Sequence, residues 1–244
     1  MKHLLACTML TCLLVASKIE AQLYLKAGAG YAASLGGIQI DRDRTETATD
    51  NNFKYRYGSF GSGIEVGGTI GYVLAPSVAA ELGVWYNLGS KYEATDTRLN
   101  PAQNKTVTYT SSLVGLSPAF VVSGEGSRVK AYARFGVVVG IPKYQVVDAR
   151  PNATTTDKYS GGILFGFQGG FGLVVPLDNK LSIFGELSLQ GGSWSPTKLE
   201  ETSGATTTTF TLKDTFSSSE QFVAAQPSIP YGNIGFRGGV KLDL

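Results

Sequence analysis

The sequence predicts an all-β protein, an eight-stranded antiparallel up-and-down transmembrane β-barrel, on three observations. Segments of alternating apolar and polar residues recur along the chain, with no helical period between them. The connections between segments are short and long by turns, which collects the tight turns at one end and the long loops at the other. The amino terminus reads as a secretory leader. The closing residues Ile234–Leu244 show the alternation most plainly: Ile234, Phe236, Val240, Leu242 and Leu244 share one face, Arg237, Lys241 and Asp243 the other. Such a strand suits either lipid outside and a polar lumen inside, or the core and surface of a soluble sandwich. The other elements decide between them.

Met1-Lys-His3, an apolar run from Leu4 to Ala16 and a boundary near Ala21-Gln22 predict a signal segment of residues 1–21 and a barrel of residues 22–244. Leu4-Leu5-Ala6-Cys7 has the form of a lipoprotein box, but too few residues precede it to make an apolar region, so no lipid anchor is expected. Cleavage would remove Cys7, Cys12 and His3, the chain's only cysteines and histidine. What remains has no thiol or imidazole for catalysis and no Cys or His ligand, so no catalytic residue, metal site or cofactor is expected. Of 21 basic and 19 acidic residues, Lys2, Lys18 and Glu20 leave with the leader, so 19 and 18 remain, a net of +1 that offers nothing to nucleic acid.

The first strand sets Leu23, Leu25, Ala27, Ala29 and Tyr31 against Tyr24, Lys26, Gly28 and Gly30. Ile64, Val66, Ile70, Tyr72 and Leu74 form the apolar face of the second, opposite Glu65 and Gly67. Ala75-Pro76-Ser77 turns the chain into the third, where Val78, Leu82, Val84, Tyr86 and Leu88 oppose Glu81, Trp85 and Asn87. Val114, Leu116, Phe120 and Val122 lead through a short turn into Ala131, Ala133, Phe135, Val137 and Val139. Phe165, Phe167, Phe171 and Leu173 lead through Leu177–Lys180 into Leu181, Ile183, Leu187 and Leu189. The eighth strand is the closing one, expected to zip against the first. Each segment has the roughly 9–11 residues that a tilted strand needs to cross hydrocarbon.

The second face decides against the sandwich. Lys26, Glu65, Glu81, Arg134, Glu186, Arg237 and Lys241, with Gln168 and Gln190, all lie opposite the apolar side. A lone buried charge costs several kcal/mol, so in a narrow lumen these groups are expected to pair. The pattern predicts a network joining Glu65, Glu81 and Glu186 to Arg134 and Arg237, with Lys26 and Lys241 nearer the short-turn end. An eight-stranded barrel is just wide enough for its own side chains to fill. The network then reads as a plug or, if its bridges exchange partners, as a gate.

The leader, the eight two-faced strands and the terminal Arg237-x-Gly239-x-x-Leu242-x-Leu244 resemble the small outer-membrane β-barrel family of Gram-negative bacteria, which includes OmpA-type transmembrane domains and opacity-type surface antigens. The resemblance implies a place in the cell outer membrane, both termini periplasmic, short periplasmic turns and long extracellular loops. It implies outer-membrane lipid and lipopolysaccharide as surroundings. It also implies that Arg237, Gly239, Leu242 and Leu244 serve as a signal to the barrel assembly machinery, although many members end in an aromatic residue where this chain has Leu244.

The long loops are where a partner would bind. In the first, Asp41-Arg-Asp-Arg44 precedes Phe53-Lys54-Tyr55-Arg56-Tyr57, an extended segment with three aromatics on one side and two cations on the other. It reads as a surface for a glycan or for lipopolysaccharide phosphates, or as part of an interfacial aromatic girdle. Lys198 to Lys213 reads as a protruding hairpin turning at Ser203-Gly204. Without histidine or a recognisable pair of loop acids, an enzyme is not expected. The expected role is structural or surface-interacting, with an extracellular or envelope protein as partner. A narrow passive porin-like channel and an accessory barrel of a secretion or assembly machine are the alternatives.

Overall fold

The computed structural model describes residues 23–35, 38–124, 126, 128–214 and 223–244, so the signal segment lies outside the described residues. The strands in chain order are β1 Leu23–Ser34, β2 Ile38–Glu46, β3 Asn51–Gly58, β4 Gly63–Ala75, β5 Val78–Gly89, β6 Tyr92–Thr97, β7 Lys105–Ser123, β8 Lys130–Arg150, β9 Ala153–Ser160, β10 Leu164–Pro176, β11 Leu181–Trp194, β12 Lys198–Ser203, β13 Thr206–Lys213, β14 Val223–Ala225 and β15 Ile229–Asp243. Eight of them, β1, β4, β5, β7, β8, β10, β11 and β15, close on themselves as an antiparallel barrel. The seam joins the first and last, from Tyr24↔Asp243 to Ser34↔Asn233.

Closure follows from the pattern. A closed sheet of strands apolar on one face and charged on the other leaves no edge unpaired and gives each face its own medium. Phe135, Phe236 and Phe120 stand outward at 65%, 63% and 63% exposure, as do Ile64, Val84 and Leu187. Glu65, Glu81, Glu186 and Gln168 point inward and are buried. The outward set forms the lipid-facing belt. The core of this molecule is its lumen.

Two strands exceed the span of a bilayer. β7 has 19 residues and β8 has 21, against the roughly 9–11 a crossing requires. Their far halves stay paired to each other beyond the barrel rim, from Leu113↔Pro142 to Thr106↔Ala149. Each carries a wing. β6, β2 and β3 extend the sheet from β7, and β9, β12, β13 and β14 extend it from β8. Thr- and charge-rich sequence, which reads as loop because its apolar residues are sparse, is strand here because the long strands supply a template and the few apolar groups, Ala94, Val107 and Leu212 among them, are buried. The hairpin read from Lys198–Lys213 is β12–β13, turning at Gly204 with φ of 58°, a backbone angle that favours glycine.

Candidate functional site in the barrel lumen

Four layers fill the lumen from the short-turn end to the long-loop end. A vestibule of about 360 Å³ comes first, walled by Val73, Ala79, Val121 and Val174, with Lys26, Lys241 and Asp243 at its polar margin. Tyr24 and Tyr132 form its ceiling with Ala79 and Val121.

The ionic layer lies above. Lys26 Nζ meets Glu81 Oε1 at 2.5 Å, Glu81 Oε2 faces Arg134 at 3.8 Å, Arg134 meets Glu186 at 2.8 Å, Glu186 faces Arg237 at 3.9 Å, and Arg237 Nε meets Glu65 at 2.8 Å. These contacts run around the wall through β1, β5, β8, β11, β15 and β4 as one open, alternating chain of three cations and three acids, from Lys26 to Glu65. The acid side chains are nearly solvent-free, at 1% for Glu81 and 4% for Glu65 and Glu186. Pairing of this quality offsets a desolvation cost of several kcal/mol per ion. Lys241 is not a member: it bonds Asp243 at 2.6 Å at the vestibule mouth and lies 4.5 Å over the Tyr24 ring.

Glycines set the reach of these bonds. The Tyr24 hydroxyl donates to Glu81 at 2.8 Å, and the Tyr132 hydroxyl to Glu186 at 2.9 Å. In each pair the partners stand two strands apart, and the residue in register between them is a glycine: Tyr24↔Gly71↔Glu81, and Tyr132↔Gly172↔Glu186. A Cβ on Gly71 would overlap the Tyr24 ring, and one on Gly172 would sit 2.5 Å from Tyr132 Cζ. Arg237 reaches Glu65 in the same way over Gly30. The two tyrosine units stand on opposite sides of the barrel, four strands apart.

Gln168, Gln190, Asn87 and Asn233 follow as a fully buried amide layer. Asn233 Nδ2 donates to the Gly61 carbonyl at 2.8 Å, tying the first long connection into the wall. A cavity of about 60 Å³ lies within the ionic layer, beside Glu65 Oε1, Glu81 Oε2, Ser117 Oγ and Arg134 Nε, which have no hydrogen-bond partner in the protein. Its polar walls suit a few ordered waters.

An apolar cluster, the stopper of the proposal below, packs at the long-loop end. Phe60, Trp85, Leu113, Val138, Leu164, Trp194, Ile229 and Tyr231 form one buried cluster. The Phe60 ring packs 4.4 Å from Tyr144 and 6.3 Å from Tyr92, edge-on to the latter. The Trp194 indole donates to the Gly161 carbonyl at 2.8 Å.

Outside the lumen, Phe53, Tyr55 and Tyr57 stand exposed on β3, and Lys54 and Arg56 turn to the opposite face. Arg56 is held by Asp43 at 2.7 Å. The cations beside the aromatics come from the neighbouring strand instead: Arg42 lies 4.7 Å over the Phe53 ring and Arg44 lies 6.0 Å from it. At the closing strand Gly239 sits in register with Gly28, and Leu242 and Leu244 face outward. Sequence reading passed over Tyr24, Tyr132 and the stopper. A signal for the tyrosines exists: Tyr24-x-Lys26-x-Gly28 and Tyr132-x-Arg134-x-Gly136 are the same pattern on two strands.

No family model matches the sequence, and no curated protein matches it. Among solved structures the chain is similar to a major outer membrane protein from Thermus thermophilus, at 15% identity and a TM-score of 0.52, over 93% of this chain and 100% of that one. It also aligns with CarO2 of Acinetobacter baumannii at 13% identity, TM-score 0.37, over 91% and 99% of the two chains. The outer membrane protease OmpT from Escherichia coli aligns at 10% identity, TM-score 0.36, over 91% and 97%. The first of these likenesses shows the fold, that of an outer-membrane β-barrel.

Proposed function

We propose that the protein is an integral outer-membrane barrel closed to solutes, whose role is to brace the envelope and hold two β wings at the cell surface for a partner. The observation that supports this reading is the double filling of the lumen by side chains, with a chain of ion pairs in the middle and an apolar cluster at the long-loop end. An eight-stranded barrel leaves little space beyond its own side chains. The short turns and both termini face the periplasm in this reading, and the wings face outward. Arg237, Gly239, Leu242 and Leu244 act as the signal to the assembly machinery in this reading, and the barrel is one of the OmpA-type and opacity-type kind. The exposed Phe53, Tyr55 and Tyr57 with Arg42 are the first place to look for an envelope or extracellular partner.

Planar-bilayer recording of the refolded protein tests it. A silent wild type, with conductance only after Phe60→Ala is combined with Arg134→Ala and Arg237→Ala, is the expected result. Reproducible single-channel steps from the wild type would reject closure in favour of a narrow passive channel.

A further inference from the structure

At the outer rim of the barrel a second cavity of about 460 Å³ opens between the lipid belt and the β8 wing. Its construction is amphiphilic. Tyr86 and Leu88, exposed at 42% and 54%, form the lower wall and belong to the lipid-facing belt. The register then steps from apolar to polar on the same face. Leu88 pairs with Ser112, and Ser112 pairs with Lys143, directly beyond Val114↔Ile141. One step further Thr110 pairs with Gln145, Gln145 with Lys158, and Lys158 with Glu200. Side chains paired in register share a face, so two lysines, an amide, two hydroxyls and a carboxylate line the upper wall.

The charges in this wall are unequal in their engagement. Lys198 holds Glu200 at 2.6 Å. Lys143 and Lys158 are exposed, and neither has an acid within ion-pair distance among the described residues. They stand at the level where an apolar belt gives way to polar wall, the level of the head groups of the adjoining leaflet. An ammonium pair there favours a phosphate. The Ser, Thr and Gln groups beside it and the Glu200 carboxylate, which accepts hydrogen bonds but repels a second anion, favour sugar hydroxyls. A phospholipid head group supplies the first chemistry without the second.

We infer that this rim cavity binds a phosphorylated glycolipid of the outer leaflet, its phosphate between Lys143 and Lys158, its sugar against Gln145 and Glu200, and an acyl chain along Tyr86 and Leu88. The inference rests on the reading that the long-loop end lies at the outer leaflet. Its test is independent of conductance, so either can fail alone.

Native mass spectrometry of the refolded, detergent-held protein, titrated with diphosphorylated lipid A, measures binding. Wild type is expected to retain one lipid A. Lys143→Gln/Lys158→Gln is expected to bind at least tenfold more weakly, and Lys130→Gln/Lys180→Gln at the short-turn end to bind as wild type. Glu200→Gln is expected to weaken lipid A and leave phosphatidylglycerol unchanged, which keeps the test alive should the double lysine variant fail the heat-modifiable gel shift of a folded barrel. Equal binding by the double lysine variant, by dephosphorylated lipid A, or by phosphatidylglycerol would overturn the assignment. So would displacement of the lipid by millimolar inorganic phosphate, which would mark a plain anion site.

Discussion

Tyr132 and Glu186 bond at 2.9 Å across a strand that contributes only the bare backbone of Gly172 between them. Tyr24 and Glu81 do the same across Gly71 on the far side of the barrel. Each triplet locks three neighbouring strands together and fixes one acid of the ionic chain in place.

Gly71→Val or Gly172→Val should therefore drive a tyrosine off its acid. Overpacking and the lost charged hydrogen bond together cost about 3 kcal/mol, read as a lowered urea midpoint of the gel-shifted folded form. Gly191→Ala is the control, because nothing lies within 4 Å of its added methyl. A midpoint for the valine variants equal to that control would show that the glycines are not seats.

Glu65 has Arg237 as its one ion-pair partner among the described residues. Arg237→Met alone strands a carboxylate with 4% side-chain exposure, at a cost of about 3–5 kcal/mol. Adding Glu65→Leu should restore most of that loss, because a pair replaced by apolar groups leaves no buried charge. A double variant as unstable as the single one would contradict this account.

Phe60 couples the first long connection to Tyr144 on β8 and Tyr92 on β6. Phe60→Ala should cost about 3 kcal/mol and raise the rate of proteolysis in the wings, while the gel shift of the barrel persists. Unchanged proteolysis would place the anchoring of the wings elsewhere.

The two wings should answer pH in opposite senses. In the β8 wing, burial first, then Glu201 and Asp148, push the Asp157 carboxyl above its ordinary 3.8. A carboxyl raised on folding stabilises the folded wing below its unfolded pKa, and that stability is lost as pH rises through the folded value. In the β7 wing, the Arg98 hydrogen bond holds Asp96 below 3.8. Its contribution is present above the unfolded value and is lost as pH falls through the folded one. Hydrogen-exchange protection in β9 and β12 should therefore be greater near about pH 4 than near about pH 7, and Asp157→Asn should abolish the difference. Protection in β6 should instead fall toward about pH 3.

The barrel and the facing of its side chains were legible in the sequence. Alternation is a local property: once Leu25 and Ala27 face lipid, Lys26 must face the lumen, whatever the rest of the chain does. The strict order of short and long connections closed the sheet in the right topology for the same reason. Which cation meets which acid was not legible, because a bond such as Arg237 to Glu65, 172 residues apart, depends on the register of three strands at once. That register also decides that Gly30, Gly71 and Gly172 are seats. The wings escaped for a different reason. Polar strands such as β6 and β9 carry no continuous apolar face to announce them, and they are ordered by the overlong β7 and β8 on which they pair; the β12–β13 hairpin was legible from its turn. Local alternation determined what faces lipid and what faces the lumen, and tertiary register alone decided how the side chains of the lumen are joined.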